Sequence, residues 1–162
     1  MSRGIAFGPD AVVAKSLGLT RSTHTLVAAI TTAVTANAMI AIQLLTVVGQ
    51  TAVLAILFVS VAFATYAVST DVLARSSQTL GNLKSIGANR GKLTGVVLFN
   101  VTTYGAAGTA LGSALGGIFG IAFGKFTGLD GSFLAEALSV FVVAAGATGA
   151  GAYVGTKTTW RS

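Results

Sequence analysis

No cysteine occurs in this chain, so neither a disulfide framework nor a thiolate metal site is open to it. Acids are nearly as scarce: Asp10, Asp71, Asp130 and Glu136 are the four, and His24 is the single histidine. A metal cluster or a Ser-His-Asp triad has almost no raw material here. The expectation is a chain that is not an enzyme, binds no metal and carries no cofactor. Charge of either sign is thin, at 9% of 162 residues, where a soluble domain carries about a quarter. That leaves too little polar surface to face water, and lipid is the consistent solvent. The length allows one domain, 1–162, with no sizeable soluble domain beside it.

What charge there is leans positive, a formal +6. The basic residues flank apolar runs, so they are read as topology signals and contacts to anionic headgroups, not as a nucleic-acid surface. Residues 1–24 are of mixed composition and precede a run of full span length, which argues against a cleavable signal.

The runs themselves are too long for single crossings. From Thr25 to Thr70 there are 46 residues without a charge. As one helix they would extend about 69 Å, against roughly 30 Å of hydrocarbon. The cluster of polar residues and glycine at 46–51 is the predicted turn, giving spans near Thr25–Leu45 and Ala52–Thr70. Residues 71–92 are too polar to cross, and a helix with Leu73, Leu80, Leu83 and Ile86 on its apolar face is expected there. A third run covers Leu93–Gly124 and a fourth span lies near Phe133–Val154. The fold class is therefore an all-α integral membrane protein of four transmembrane helices.

Nine cations fall on one side of this arrangement: Arg3, Lys15, Arg21, Arg75, Lys84, Arg90, Lys92, Lys157 and Arg161. Only Lys125 falls on the other. The positive-inside rule predicts a multi-pass protein of the cell membrane with both termini and the 72–92 loop cytoplasmic. Asp130 and Glu136 then lie outside at the start of span four, where the helix dipole favours negative charge and a capping role is preferred to a functional one.

Two segments match at a constant offset of 69. Lys15, Ser16, Gly18, Arg21, Thr25 and Val27 are identical to Lys84, Ser85, Gly87, Arg90, Thr94 and Val96, and Leu17 is similar to Ile86. Each half is then a basic cytoplasmic segment, a span out and a span back, which predicts two parallel helical-hairpin repeats, 11–76 and 80–162.

Glycine recurs every fourth residue at Gly108, Gly112, Gly116, Gly120 and Gly124, and again at Gly128. On a helix these positions form a ridge without side chains, which another helix approaches to backbone contact. The expected partner is span four, with its own small residues Gly146 and Gly149 and, near them, Ala145, Ala150 and Gly151, or another protomer. A phosphate-binding loop would need a soluble strand–loop–helix setting, and a rotor ring a carboxylate in mid-membrane; neither is present. The neutral polar residues of the spans, Thr31, Thr32, Thr35, Asn37, Gln43, Ser60, Thr65, Asn100, Thr102 and Thr103, are read as glue between helices in preference to a substrate path. His24, Tyr153 and Trp160 are read as interfacial residues.

Residues 82–93, NLKSIGANRGKL, resemble the cytoplasmic segment of FtsX/MacB-type ABC transporter permeases, which reads hydrophobic-Arg-Ala-Leu-Gly-Ala-Ser/Thr-Arg-Arg. The order of features around it is similar too: a span before, a glycine-bearing span after, and a last span ending in a short basic tail. The resemblance implies a permease subunit working with a separate cytoplasmic ATP-binding cassette ATPase through the 72–92 loop, and a homo- or hetero-oligomer. Lys84, Ser85, Ile86, Gly87 and Arg90 would dock the ATPase, and the repeat extends that surface to Lys15, Gly18 and Arg21. The alternative is a structural or accessory subunit of a larger membrane complex, packed through the glycine helix. No nucleic-acid partner is expected.

Overall fold

The computed structural model describes Leu17, Leu19 and residues 21–45, 47–85, 89–122 and 131–159. Five helices account for nearly all of them: α1 (Arg21–Leu44), α2 (Val47–Arg75), α3 (Ser77–Ser85), α4 (Arg90–Ala122) and α5 (Gly131–Thr159). Among the described residues there is no strand. All but α3 are long and apolar enough to cross a membrane. Large apolar side chains such as Phe63, Phe99, Leu111 and Leu138 are exposed on their outer faces, as lipid contact requires and water would not tolerate. The chain is an all-α multi-pass membrane protein.

Local chemistry explains the helix ends. α1 stops at Leu44 because the chain reverses at once, and Gln50 reaches back from α2. Its Nε2 donates to the carbonyls of Ile42 at 3.1 Å and Leu45 at 3.4 Å, satisfying acceptors the helix end leaves free. The reversal is tight enough that a Cβ on Gly49 would stand 2.9 Å from that of Leu45. The turn is shorter than the sequence suggested, and Gln50 and Thr51 are already helical. At the other end, α2 runs on through Asp71 to Arg75, where Ser76 breaks it from the short α3. Asn89 begins α4: its Oδ1 accepts from the Gly91 N–H at 2.9 Å, an N-cap bond.

Three interfaces organise the bundle. α1 and α4 run parallel: Gly108 lies against Ala28 and Thr31, Gly112 against Thr32 and Thr35, Gly116 against Ala36 and Met39. α2 and α5 also run parallel, with Gly151 on Ala62 and Thr65, and Gly155 on Tyr66 and Ser69. α4 and α5 are antiparallel, Gly105 meeting Thr148 and Gly117 meeting Phe133. Buried positions recur every fourth residue: Val27, Thr31, Thr35, Met39 and Gln43 on α1, and Leu57, Val61, Thr65, Ser69 and Leu73 on α2. Such rows are the i±4 ridges through which helices interlock.

The glycine stripe therefore packs on α1, a partner the sequence reading did not anticipate. Gly146 and Gly149, expected to meet it, have nothing within 4 Å of an added Cβ; Gly151 and Gly155 are the packing glycines of α5. The reason lies in the connections, since α4 reaches α1 with its stripe and α5 with the adjoining row of Gly105 and Gly117.

Candidate functional site

Arg21, Arg75, Lys92 and Lys157 belong to helix ends that gather at one end of the bundle, called the basic end here. It is built on a stagger. Gly108, Gly112 and Gly116 each lie against the residue 77 positions earlier, Thr31, Thr35 and Met39. Arg21 thus lies level with Leu98 in α4, and the first turns of α4 project beyond α1 by about 12 Å at 1.5 Å per residue.

The face left bare by the projection is covered by the residues before α1. Leu17 and Leu19, 0% and 5% exposed, belong to one apolar cluster with Val72 and Leu73 of α2 and Leu93, Val96, Val97 and Val101 of α4. Ser76, in the break between α2 and α3, donates its hydroxyl to the Leu17 carbonyl at 2.6 Å, while its own N–H bonds back to Val72 at 3.2 Å. This anchor was not anticipated from the sequence, where Leu17 was marked by its likeness to Ile86 and Ser76 by its place at the end of the first repeat, opposite Ser162.

Of the residues expected to dock a partner, Lys84 and Ser85 end α3, Arg90 opens α4 and Arg21 opens α1, with Arg21 and Ser85 exposed. The Ser85 hydroxyl donates to the Asn82 carbonyl at 2.7 Å, a turn within its own helix end. Lys15, Gly18, Ile86 and Gly87 lie outside the described residues, as do Gly124, Gly128, Asp130 and Trp160. The single helix expected over 71–92 is instead the end of α2 and the short α3, broken at Ser76, and Leu73, on α2, is buried. Asp71 and Arg75 pair at 2.9 Å across one helical turn, on an exposed face where such a pair contributes little.

The stripe itself carries polar contacts. Thr32 Oγ1 donates to the Gly108 carbonyl at 3.0 Å and Gln43 Nε2 to the Gly116 carbonyl at 3.2 Å. A glycine has no side chain to shield its carbonyl, so a neighbouring helix can reach it. Other residues expected to bond between helices turn back onto their own instead: Thr31 to Val27, Asn37 to Ala33, Thr65 to Val61 and Asn100 to Val96. The Thr35 and Ser113 hydroxyls are buried without a partner. His24 is half-buried and stacked on Tyr104 of α4, ring centroids 4.0 Å apart, so it packs between helices and does not stand free at the surface.

At the end of the bundle opposite the basic one, Ile42, Gln50, Leu54, Ala135, Glu136 and Ser139 line a crevice of about 240 Å³. Glu136 sits in the second turn of α5, beyond the first turn where a carboxylate would act as a cap. No group of His, Cys, Asp and Glu suited to a metal occurs among the described residues.

The described residues form a lipid-facing bundle with two parallel glycine-packed helix pairs and an anchored basic end. Comparison with known families adds what geometry alone does not. No curated protein and no solved structure matches the chain. The family described as FtsX-like permease C-terminal matches residues 50–160, which takes in α2, α3, α4 and α5. The chain belongs to the FtsX-like permease family, whose members are membrane permease subunits of ABC-type transport systems.

Proposed function

We propose that this permease subunit is driven by a separate cytoplasmic ATPase that docks on the 72–92 segment, with the basic end and both termini in the cytoplasm. The observation that carries the reading is the family match, whose span, residues 50–160, includes that segment. The docking surface comprises Lys84, Ser85, Ile86, Gly87 and Arg90, joined by Lys15, Gly18 and Arg21 from the stretch before α1. ATP hydrolysis then belongs to the partner, and this chain passes on motion. Ser76 bonds Leu17, so a load on α3 reaches the start of α1 through one hydrogen bond and the apolar cluster around it.

The alternative, an accessory subunit packed on others through its glycine helix, is the less favoured reading, because α1 already lies on Gly108, Gly112 and Gly116. Purification of the full chain in mild detergent tests the proposal. An ATP-binding cassette ATPase is expected to come with it and to be lost from Gly87→Leu and Arg90→Glu variants that still fold. A chain that purifies alone, or variants that keep every partner, would overturn the docking assignment.

A further inference from the structure

Two kinds of contact hold the bundle together, and they divide it. Between α1 and α4 backbone comes close to backbone, beside the Thr31, Thr35 and Met39 side chains that also touch the glycines: a Cβ on Gly112 would stand 2.6 Å from the Thr32 carbonyl oxygen, and one on Gly116 3.0 Å from that of Ala36. Between α2 and α5 the same holds, a Cβ on Gly155 standing 2.9 Å from the Tyr66 carbonyl oxygen. Main chains in contact have no rotamers to change, and sliding them means lifting one set of ridges over another. The α4–α5 contacts are different in kind. There Thr148 rests on Gly105 and Phe133 on Gly117, side chain on glycine. Side chains also fill the space between α1, α2 and α5, where Met39, Ile42, Leu57, Val61 and Val140 form one cluster. An interface of that kind yields by changing rotamers.

The boundary so defined separates α1 with α4 from α2 with α5, and it cuts across both sequence hairpins. Its two ends differ. At the end opposite the basic one it holds the crevice, with Ile42 from the first pair facing Gln50, Leu54 and Glu136 from the second, and the turn between α1 and α2 with its Gln50–Ile42 bond acts as the hinge. At the basic end it is shut: Leu17, which leads into α1, accepts the hydroxyl of Ser76, which follows α2. Leu17 and Leu19 fill the angle between Leu73 of α2 and Leu93 of α4.

We infer that the chain moves as two rigid helix pairs, α1 with α4 and α2 with α5, and that the Ser76–Leu17 bond with its leucine wedge is the latch holding their basic ends together. The inference stands on packing alone and does not depend on which partner docks beside it.

The absence of native cysteine lets pairs of spin labels be placed without background. In the full chain in lipid nanodiscs, exposed Thr25 and Ala74 report across the boundary, Thr25 and Phe99 within the first pair, and Ala74 and Lys157 within the second. Ser76→Ala is expected to lengthen and broaden the Thr25–Ala74 distance while both within-pair distances stay as they are; Ser76→Thr, which keeps the hydroxyl, is expected to retain the native distribution. If Ser76→Ala does not fold, Leu19→Ala thins the wedge and leaves the bond, and the same selective lengthening is expected. An unchanged Thr25–Ala74 distance in the folded variant, or within-pair distances that move along with it, overturns the inference.

Discussion

Gly112 and Gly146 are the same residue type and differ in everything around them. Gly112 is buried against Thr32, Thr35 and Ala36, while Gly146 faces outward with open space before it. Adding a methyl group at Gly112 drives it into a carbonyl that cannot turn aside, and overpacking of this kind costs about 1–3 kcal/mol. At Gly146 the same methyl meets nothing and gains helix propensity worth up to about 1 kcal/mol. Unfolding of the two variants in mixed micelles should therefore separate them, Gly112→Ala losing stability and Gly146→Ala holding or gaining it. Equal effects would mean that the α1–α4 contact is looser than its geometry. Thr32 and Thr35 repeat the lesson in polar form, since neighbours in one helix differ in that only Thr32 reaches a glycine carbonyl across the interface.

At the scale of elements, α4 is the helix on which the others depend. It gives one row of glycines to α1, the next row to α5, and its projecting first turns to Leu17 and Leu19. Those turns are not shielded by α1, so their start rests on the Asn89 cap. Gly91 N–H bonds the Asn89 side chain, and the N–H groups of Lys92 and Leu93 bond its carbonyl at 3.1 and 3.2 Å. Asn89→Ala removes the side-chain bond and is expected to cost about 1 kcal/mol. Amide exchange at residues 91–93 should quicken accordingly, by roughly fivefold if the loss is local, while exchange beyond Val101 stays slow. Slow exchange throughout the variant would show that the leucine wedge alone holds this end.

The whole molecule is a bundle whose shape the bilayer tolerates and whose asymmetry comes from charge. In lipid there is no hydrophobic drive to bring apolar helices together, so close packing and inter-helix hydrogen bonds must do it. Glycines at the α1–α4 and α2–α5 contacts supply that closeness. The cations at one end are the basis of the proposed direction. With single cysteines introduced into the native cysteine-free background, a membrane-impermeant maleimide applied to intact cells should label Leu45→Cys, in the turn after α1, and spare Ser85→Cys until the membrane is opened. The reverse pattern would invert the proposed orientation. Packing also bears on the repeat. The segments match at an offset of 69, whereas α1 and α4 lie in contact at an offset of 77, so the matching stretches sit about two turns apart in height.

The solvent was written in the sequence, and the proposed direction rests on it as well. Uncharged runs longer than a bilayer is thick have to fold back, and cations gathered between them have to stay on one side, whatever the packing. The four crossings and the polar break after Arg75 follow from those two facts, and the KSIGANR string carried the family. Which helices touch was not legible. A glycine ridge announces that some backbone will come close and carries no sign of whose, because its signal is the lack of a side chain. Only the tertiary structure, by setting α4 against α1 on one row and α5 on the next, decided that the close partners lie across the hairpins and that Ser76 would close over Leu17. Crossing a membrane is a property of each segment's own composition; pairing is a property of two surfaces at once.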